Sequence, residues 1–167
     1  EGFGVLPPAG APAWMDAGVI VPWTVYLCYG DVRILERHID SMELYIDYVT
    51  GGNPDGIWEN LRGNDYGDWV PAGEKTDKTM FATLHYFYSC VLMAAAAQVL
   101  DRPELAAKCA ALAAHVREAF NARYLKGGHY ENATQTIGAL ALAFAICPED
   151  ARESVAADLV RNIEERG

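Results

Sequence analysis

The sequence predicts an all-α protein, a segment of a two-layered αα-toroid made of three hairpins. Three observations carry this reading. Six helical segments follow one another with almost no strand signal. Charge divides them into two alternating kinds. The links between them alternate between tight and long. A helix that is apolar all round needs cover on every side, whereas a striped helix turns its polar back to water. Strict alternation therefore predicts an inner layer of odd-numbered helices wrapped by an outer layer of even-numbered ones. Three such hairpins are half of a six-hairpin barrel.

The first helix is predicted over Ala17–Tyr29, with Asp16 as cap, Gly30 as stop and a kink or late start at Pro22. It contains no Asp, Glu, Lys or Arg. The second runs from Val32 to Thr50, capped by Asp31 and stopped by Gly51-Gly52. Its stripe Leu35, Ile39, Met42, Ile46, Val49 steps by helical intervals, and Arg33, Glu36, Arg37, Asp40, Glu43 and Asp47 cover its other face. The third spans Lys78 to Leu100 behind Asp77 or Thr76 and is charge-free from Met80 onward. The fourth starts at Pro103, a good first-turn residue, and runs to Arg123 with the stripe Leu105, Cys109, Leu112, Val116, Phe120. The fifth, Gln135 to Ile146, is again uncharged. The sixth runs from Pro148 to Arg166.

Composition narrows the function classes. With 51% apolar residues in 167 the chain builds one sizeable core and is not disordered. A net charge of −10 argues against nucleic acid as a partner, since no basic stripe offsets it. No uninterrupted apolar run reaches the roughly 18–20 residues that span a bilayer, so no membrane partner is expected. The start, Glu1-Gly2-Phe3-Gly4, lacks the features of a secretory signal. Cys28, Cys90, Cys109 and Cys147 stand far apart among apolar neighbours, which predicts buried free thiols and a cytoplasmic compartment. The missing initiator Met and the charged ending predict a piece of a longer protein, residues 1–167 forming one partial domain with no second one.

Odd-to-even links are tight, at Gly30-Asp31, Asp101-Arg102 and Cys147-Pro148. The even-to-odd links, Gly51 to Thr76 and Lys126 to Thr134, are long, as is the lead-in Glu1 to Met15. Parallel inner helices put all three long segments on one rim, and loops of that length are usually functional. They hold Trp14 and Asp16; Trp58, Glu59, Asp65, Tyr66, Asp68 and Trp69; and His129, Tyr130 and Glu131. Aromatic faces stack on the C–H faces of sugars and carboxylates accept from hydroxyls, so the rim reads as a carbohydrate site. Cleaving a glycosidic bond requires two carboxyl groups, one acid and one ionised, and spacing alone does not single out a pair.

Five stretches in order, Trp14-Met15-Asp16-Ala17, Pro22-Trp23, Tyr29-Gly30-Asp31, Gly67-Asp68-Trp69 and Thr134-Gln135-Thr136, resemble the central part of the catalytic domain of bacterial α-L-rhamnosidases, glycoside hydrolase family 78. The resemblance covers about Leu6 to Gly167. It implies an (α/α)6 toroid of the six-hairpin glycosidase type, inverting hydrolysis of a rhamnose-containing glycoside, no cofactor and no obligatory metal. It further implies that Trp14 and Trp69 wall the rhamnose subsite, with Asp16 and Asp68 as supporting polar residues. The family's general acid sits in an Arg-Glu-Arg-Leu-Gly-Trp type motif upstream and its base far downstream. Neither motif is present, so the catalytic residues are expected outside this chain and the chain alone is expected to be inactive.

Plainer readings stand beside these. Trp14 and Trp69 fit ordinary packing under a loop, Asp16 a helix cap and Asp68 a loop-organising turn. Trp58 and Glu59 read as exposed loop residues. His85 reads as a satisfied core histidine; His38 and His115, on the outer helices, need no special role. His129 with Glu131 lacks a third metal ligand. Another six-hairpin sugar enzyme, of the unsaturated glucuronyl hydrolase or trehalase type, remains an alternative. So does a non-catalytic helical-repeat binding module, although the uncharged odd helices argue against it. Apolar surface at the edges of a half-ring predicts a dimer or a domain-swapped form.

Overall fold

A computed structural model describes residues 10–71 and 73–166. The part of the lead-in expected on the rim that falls in residues 1–9 lies outside them. Six α-helices follow in order among the described residues: α1 Ala17–Tyr29, α2 Arg33–Gly52, α3 Lys78–Val99, α4 Pro103–Tyr124, α5 Gln135–Ala143 and α6 Arg152–Arg166. The link from α4 to α5 adds a two-residue antiparallel ribbon that the sequence did not announce. In it β1, Leu125–Lys126, pairs with β2, His129–Tyr130, across Gly127 and Gly128, both at positive φ.

Three hairpins, α1/α2, α3/α4 and α5/α6, pack side by side, and α3 is their hub, touching α1, α2, α4 and α5. The α2 stripe is nearly solvent-free, from Leu35 at 0% to Val49 at 1% exposed, and each such side chain contributes about 1.5–3 kcal/mol by leaving water. Outer helices meet through charge: Lys108 Nζ reaches Glu43 at 2.9 Å and Asp47 at 2.8 Å, and Arg102 pairs with Asp40. α3 is covered along most of its length. It is also long and apolar enough to cross a membrane by length and composition, yet 83% of that stretch is buried inside the protein, and His85 and Ser89 interrupt its apolar run. Its start is fixed by Asp77, which accepts from the N–H groups of Thr79 and Met80 at 2.8 Å.

Several local expectations are corrected. Gly51-Gly52 does not stop α2, which continues through both glycines to Asn53. A Cβ on Gly52 would stand 2.5 Å from Leu61 Cδ1, so close approach explains that glycine. Asn53 does the stopping: its amide donates to Val49 O at 2.9 Å and its oxygen accepts from the N–H groups of Glu59 and Asn60. α5 ends at Ala143 rather than Ile146, because Ala145 turns left-handed (φ 59°) and α4 side chains, Arg117 and Asn121, take the carbonyls of Ala145 and Ile146. Trp58 is not exposed. Its indole donates to Asn60 O at 2.9 Å and lies edge-on to Tyr45 and Tyr86 with no exposed surface, which makes its link part of the core. Cys28 is exposed, unlike the other three cysteines, and all four are free. α1, expected to be covered on all sides, buries only Val19 and Pro22 and leaves Val21, Leu27 and Tyr29 in solvent.

Candidate functional site

Two loops build an aromatic corner. The first is the turn ahead of α1, where Met15 N–H donates to Ala11 O and Ala13 takes φ 66°. Asp16 holds this turn. It makes no cap bond to α1, against expectation. Its Oδ2 instead accepts the Ala13 N–H at 2.7 Å, and its Oδ1 accepts hydroxyls from Tyr45 at 3.0 Å and Ser89 at 2.8 Å. Asp16 has no exposed surface, and each of its carboxylate oxygens already accepts a bond within the protein. Its bonds run to the loop and the core, so any support it gives the subsite implied by the resemblance passes through the loop. Burial, with the Asp16 carboxylate second, pushes the Tyr45 phenol well above its ordinary value, so it stays a donor.

The second loop lies in the link from α2 to α3. Asp65 accepts the Gly67 N–H at 2.9 Å and is flanked by Arg62 at 3.2 Å, while Gly67 adopts φ 63° beside Lys78. This tight turn points Tyr66 and Trp69 toward Trp14. Ring centroids stand 5.4 Å apart for Trp14 and Tyr66, 6.1 Å for Trp14 and Trp69, and 5.0 Å for Tyr66 and Trp69, with the planes steeply inclined to one another. All three rings are substantially exposed, Trp69 most at 64%. An isolated exposed aromatic is unremarkable; three converging ones form an apolar surface that water covers poorly.

Asp68 ties this corner to the third long link. Its Oδ2 accepts the hydroxyls of Thr76, at 2.9 Å, and Thr136, at 2.6 Å, and Thr76 meets Thr134 at 2.8 Å. Thr134 in turn caps α5 through the Ile137 N–H. Asp68 Oδ1 has no protein partner among the described residues. The starts of α1, α3 and α5 thus gather at one mouth, as the alternation of link lengths predicts.

Other rim residues stand apart from the corner. Glu59 pairs with Arg123 at 2.6 Å, and His129 Nδ1 lies 2.6 Å from Asp158 Oδ2 on α6. No cluster of His, Cys, Asp or Glu able to hold a metal occurs among the described residues. His85 sits in the core with Nδ1 2.8 Å from Phe81 O. Tyr66, one of the rim residues but given no subsite role by the resemblance, joins Trp14 and Trp69 in the corner. Tyr45 and Ser89 gave no signal in the sequence, being 29 and 73 residues from Asp16.

Residues 4–167 match the family described as the bacterial alpha-L-rhamnosidase six-hairpin glycosidase domain. A curated alpha-L-rhamnosidase of Streptomyces avermitilis is 33% identical over 156 residues, and the alignment covers 93% of this chain and 15% of that protein. One of Formosa agariphila is 32% identical, with 91% and 17% covered. Among solved structures, Streptomyces avermitilis alpha-L-rhamnosidase complexed with L-rhamnose superposes with a TM-score of 0.87 at 30% identity, covering 93% of this chain and 15% of that one. The native enzyme from Aspergillus terreus gives 0.85 at 26%, covering 99% and 20%. The chain spans 15% to 17% of the length of these curated relatives. These likenesses favour the rhamnosidase resemblance over the other six-hairpin enzymes and over a helical-repeat module. The chain belongs to the bacterial alpha-L-rhamnosidase six-hairpin glycosidase domain family and carries part of its helical toroid.

Proposed function

We propose that this chain is part of the catalytic domain of a hydrolase that cleaves terminal α-L-rhamnosides with inversion, and that its share is substrate wall rather than proton transfer. One observation carries the reading: Trp14, Tyr66 and Trp69 converge in solvent beside the half-free carboxylate of Asp68. Inclined rings give a six-membered sugar two apolar faces to rest on, and Asp68 Oδ1 is left to accept from a hydroxyl. The general acid and base come from outside the chain. Titrating the protein with L-rhamnose should quench its tryptophan fluorescence, and Trp69→Ala should abolish the response; an L-rhamnose response that survives Trp69→Ala would sink the proposal. The chain alone should release no p-nitrophenol from its α-L-rhamnoside, and measurable release would place a catalytic pair within it.

The exposed Val21, Leu27 and Tyr29 of α1 support self-association of the isolated chain through this edge. Light scattering at high concentration should find a dimer, and a clean monomer would contradict this. A reducing, cytoplasmic setting belongs to the same reading and is supported by four unpaired thiols.

A further inference from the structure

Trp14 follows a residue in an unusual state. Ala13 lies in the left-handed region at φ 66°, where a Cβ is sterically disfavoured, so something outside the turn must hold it there. Its N–H is held by Asp16 Oδ2 at 2.7 Å. The carboxylate is held in turn from two different helices, by Tyr45 in the middle of α2 and by the solvent-free Ser89 in the middle of α3. A buried carboxylate stripped of donors is costly, so the two hydroxyls set where it sits. Asp16 caps nothing and reaches no solvent. Among the described residues, the one backbone group its side chain grips belongs to Ala13, the residue before Trp14.

We propose that Tyr45 and Ser89 are positioning residues for the aromatic corner, acting through Asp16 on the Ala13–Trp14 turn. The sugar-binding consequence rests on the reading of that corner as a rhamnoside wall; the positioning itself does not. The chain of contact runs from a polar pair in the core, through one carboxylate, to a strained peptide and then to an exposed indole. A purely structural carboxylate would lower stability when disturbed but leave the ring geometry alone.

Ser89→Ala and Tyr45→Phe each remove one hydroxyl and leave the backbone intact. The readout is the near-ultraviolet circular dichroism that depends on Trp14, taken as the difference between each protein and its Trp14→Phe counterpart. It reports the packing of Trp14 on Trp69 and Tyr66 without any sugar. Leu35→Ala, a buried truncation in the first turn of α2, serves as a control for general destabilisation. The Trp14-dependent signal should be largely lost in Ser89→Ala and Tyr45→Phe, with the far-ultraviolet helix signal retained, and should persist in Leu35→Ala. Binding of L-rhamnose should weaken about tenfold in the two hydroxyl variants, as loss of a hydrogen bond to a charged group would give. An unchanged signal in both variants, or an equal loss in Leu35→Ala, overturns the proposal. Tyr45→Phe keeps the test decisive if Ser89→Ala fails to fold. If the parent protein binds no L-rhamnose, the functional reading falls and the dichroism still decides the positioning.

Discussion

Trp58 and Trp69 stand in the same link, eleven residues apart, and have opposite fates. Trp58 has no exposed surface and an indole N–H bonded to Asn60 O, while Trp69 is 64% exposed. Trp58→Ala should cost about 3–5 kcal/mol in urea unfolding. Trp69→Ala should stay within about 1 kcal/mol, since Trp69 is largely exposed and so are its ring neighbours Trp14 and Tyr66. Equal losses would overturn this division. Sequence composition marked both tryptophans as rim residues and could not separate them. What separates them is Thr83 Oγ1, which accepts the Trp58 backbone N–H from a helix 25 residues away. Long-range partners of that kind leave no local pattern, and the same holds for Tyr45 and Ser89 beside Asp16.

At the scale of elements, the period of apolar residues located α2, α3 and α4 to within two residues at each end. The ends that failed did so where tertiary contact replaced local chemistry. Gly51 and Gly52 look like a helix stop, and both are helical. Gly51 faces open space, so Gly51→Ala should raise stability by about 0.5–1 kcal/mol through helix propensity alone. Gly52→Ala gains the same propensity but must displace Leu61, whose Cγ would lie 2.8 Å from the new Cβ, so its net gain should be smaller or negative. Thermal unfolding of the pair measures the difference, and a Gly52→Ala gain equal to that of Gly51→Ala would remove the close-approach explanation. α1 teaches the complementary lesson. Its composition matches that of α3, but composition reports the burial a helix is suited to, and α1 lies at an edge of the described residues.

For the whole molecule, the alternation of charge and of link length was legible, and it is what brings the starts of α1, α3 and α5 to one mouth. The hydrogen-bonded wiring of that mouth was not. A global consequence lies in its buried acids. Burial pushes the phenols of Tyr45, Tyr86 and Tyr130 well above their ordinary value and the Cys109 thiol up to about 11. These groups keep their protons in the folded state after the unfolded chain has lost them. Their contribution is complete below the unfolded values, roughly 8.5 for Cys and 10 for Tyr, and is lost as pH rises past them. Each tyrosine then removes up to about 1.4 kcal/mol per pH unit. Urea midpoints should hold nearly constant from neutral pH to about 8, begin to fall near about 8.5 as the cysteines are reached, and fall more steeply above about 10; a midpoint unchanged to about pH 11 would contradict this.

The threonine hydroxyls around Asp68 have a thermodynamic consequence of their own. Thr76, in the link before α3, and Thr136, in α5, hold the Asp68 carboxylate in place, which anchors the backbone next to Trp69. Little conformational entropy is left to be lost on association. A ligand meeting this corner would then owe its affinity to the fit of its surface rather than to the folding of a loop around it.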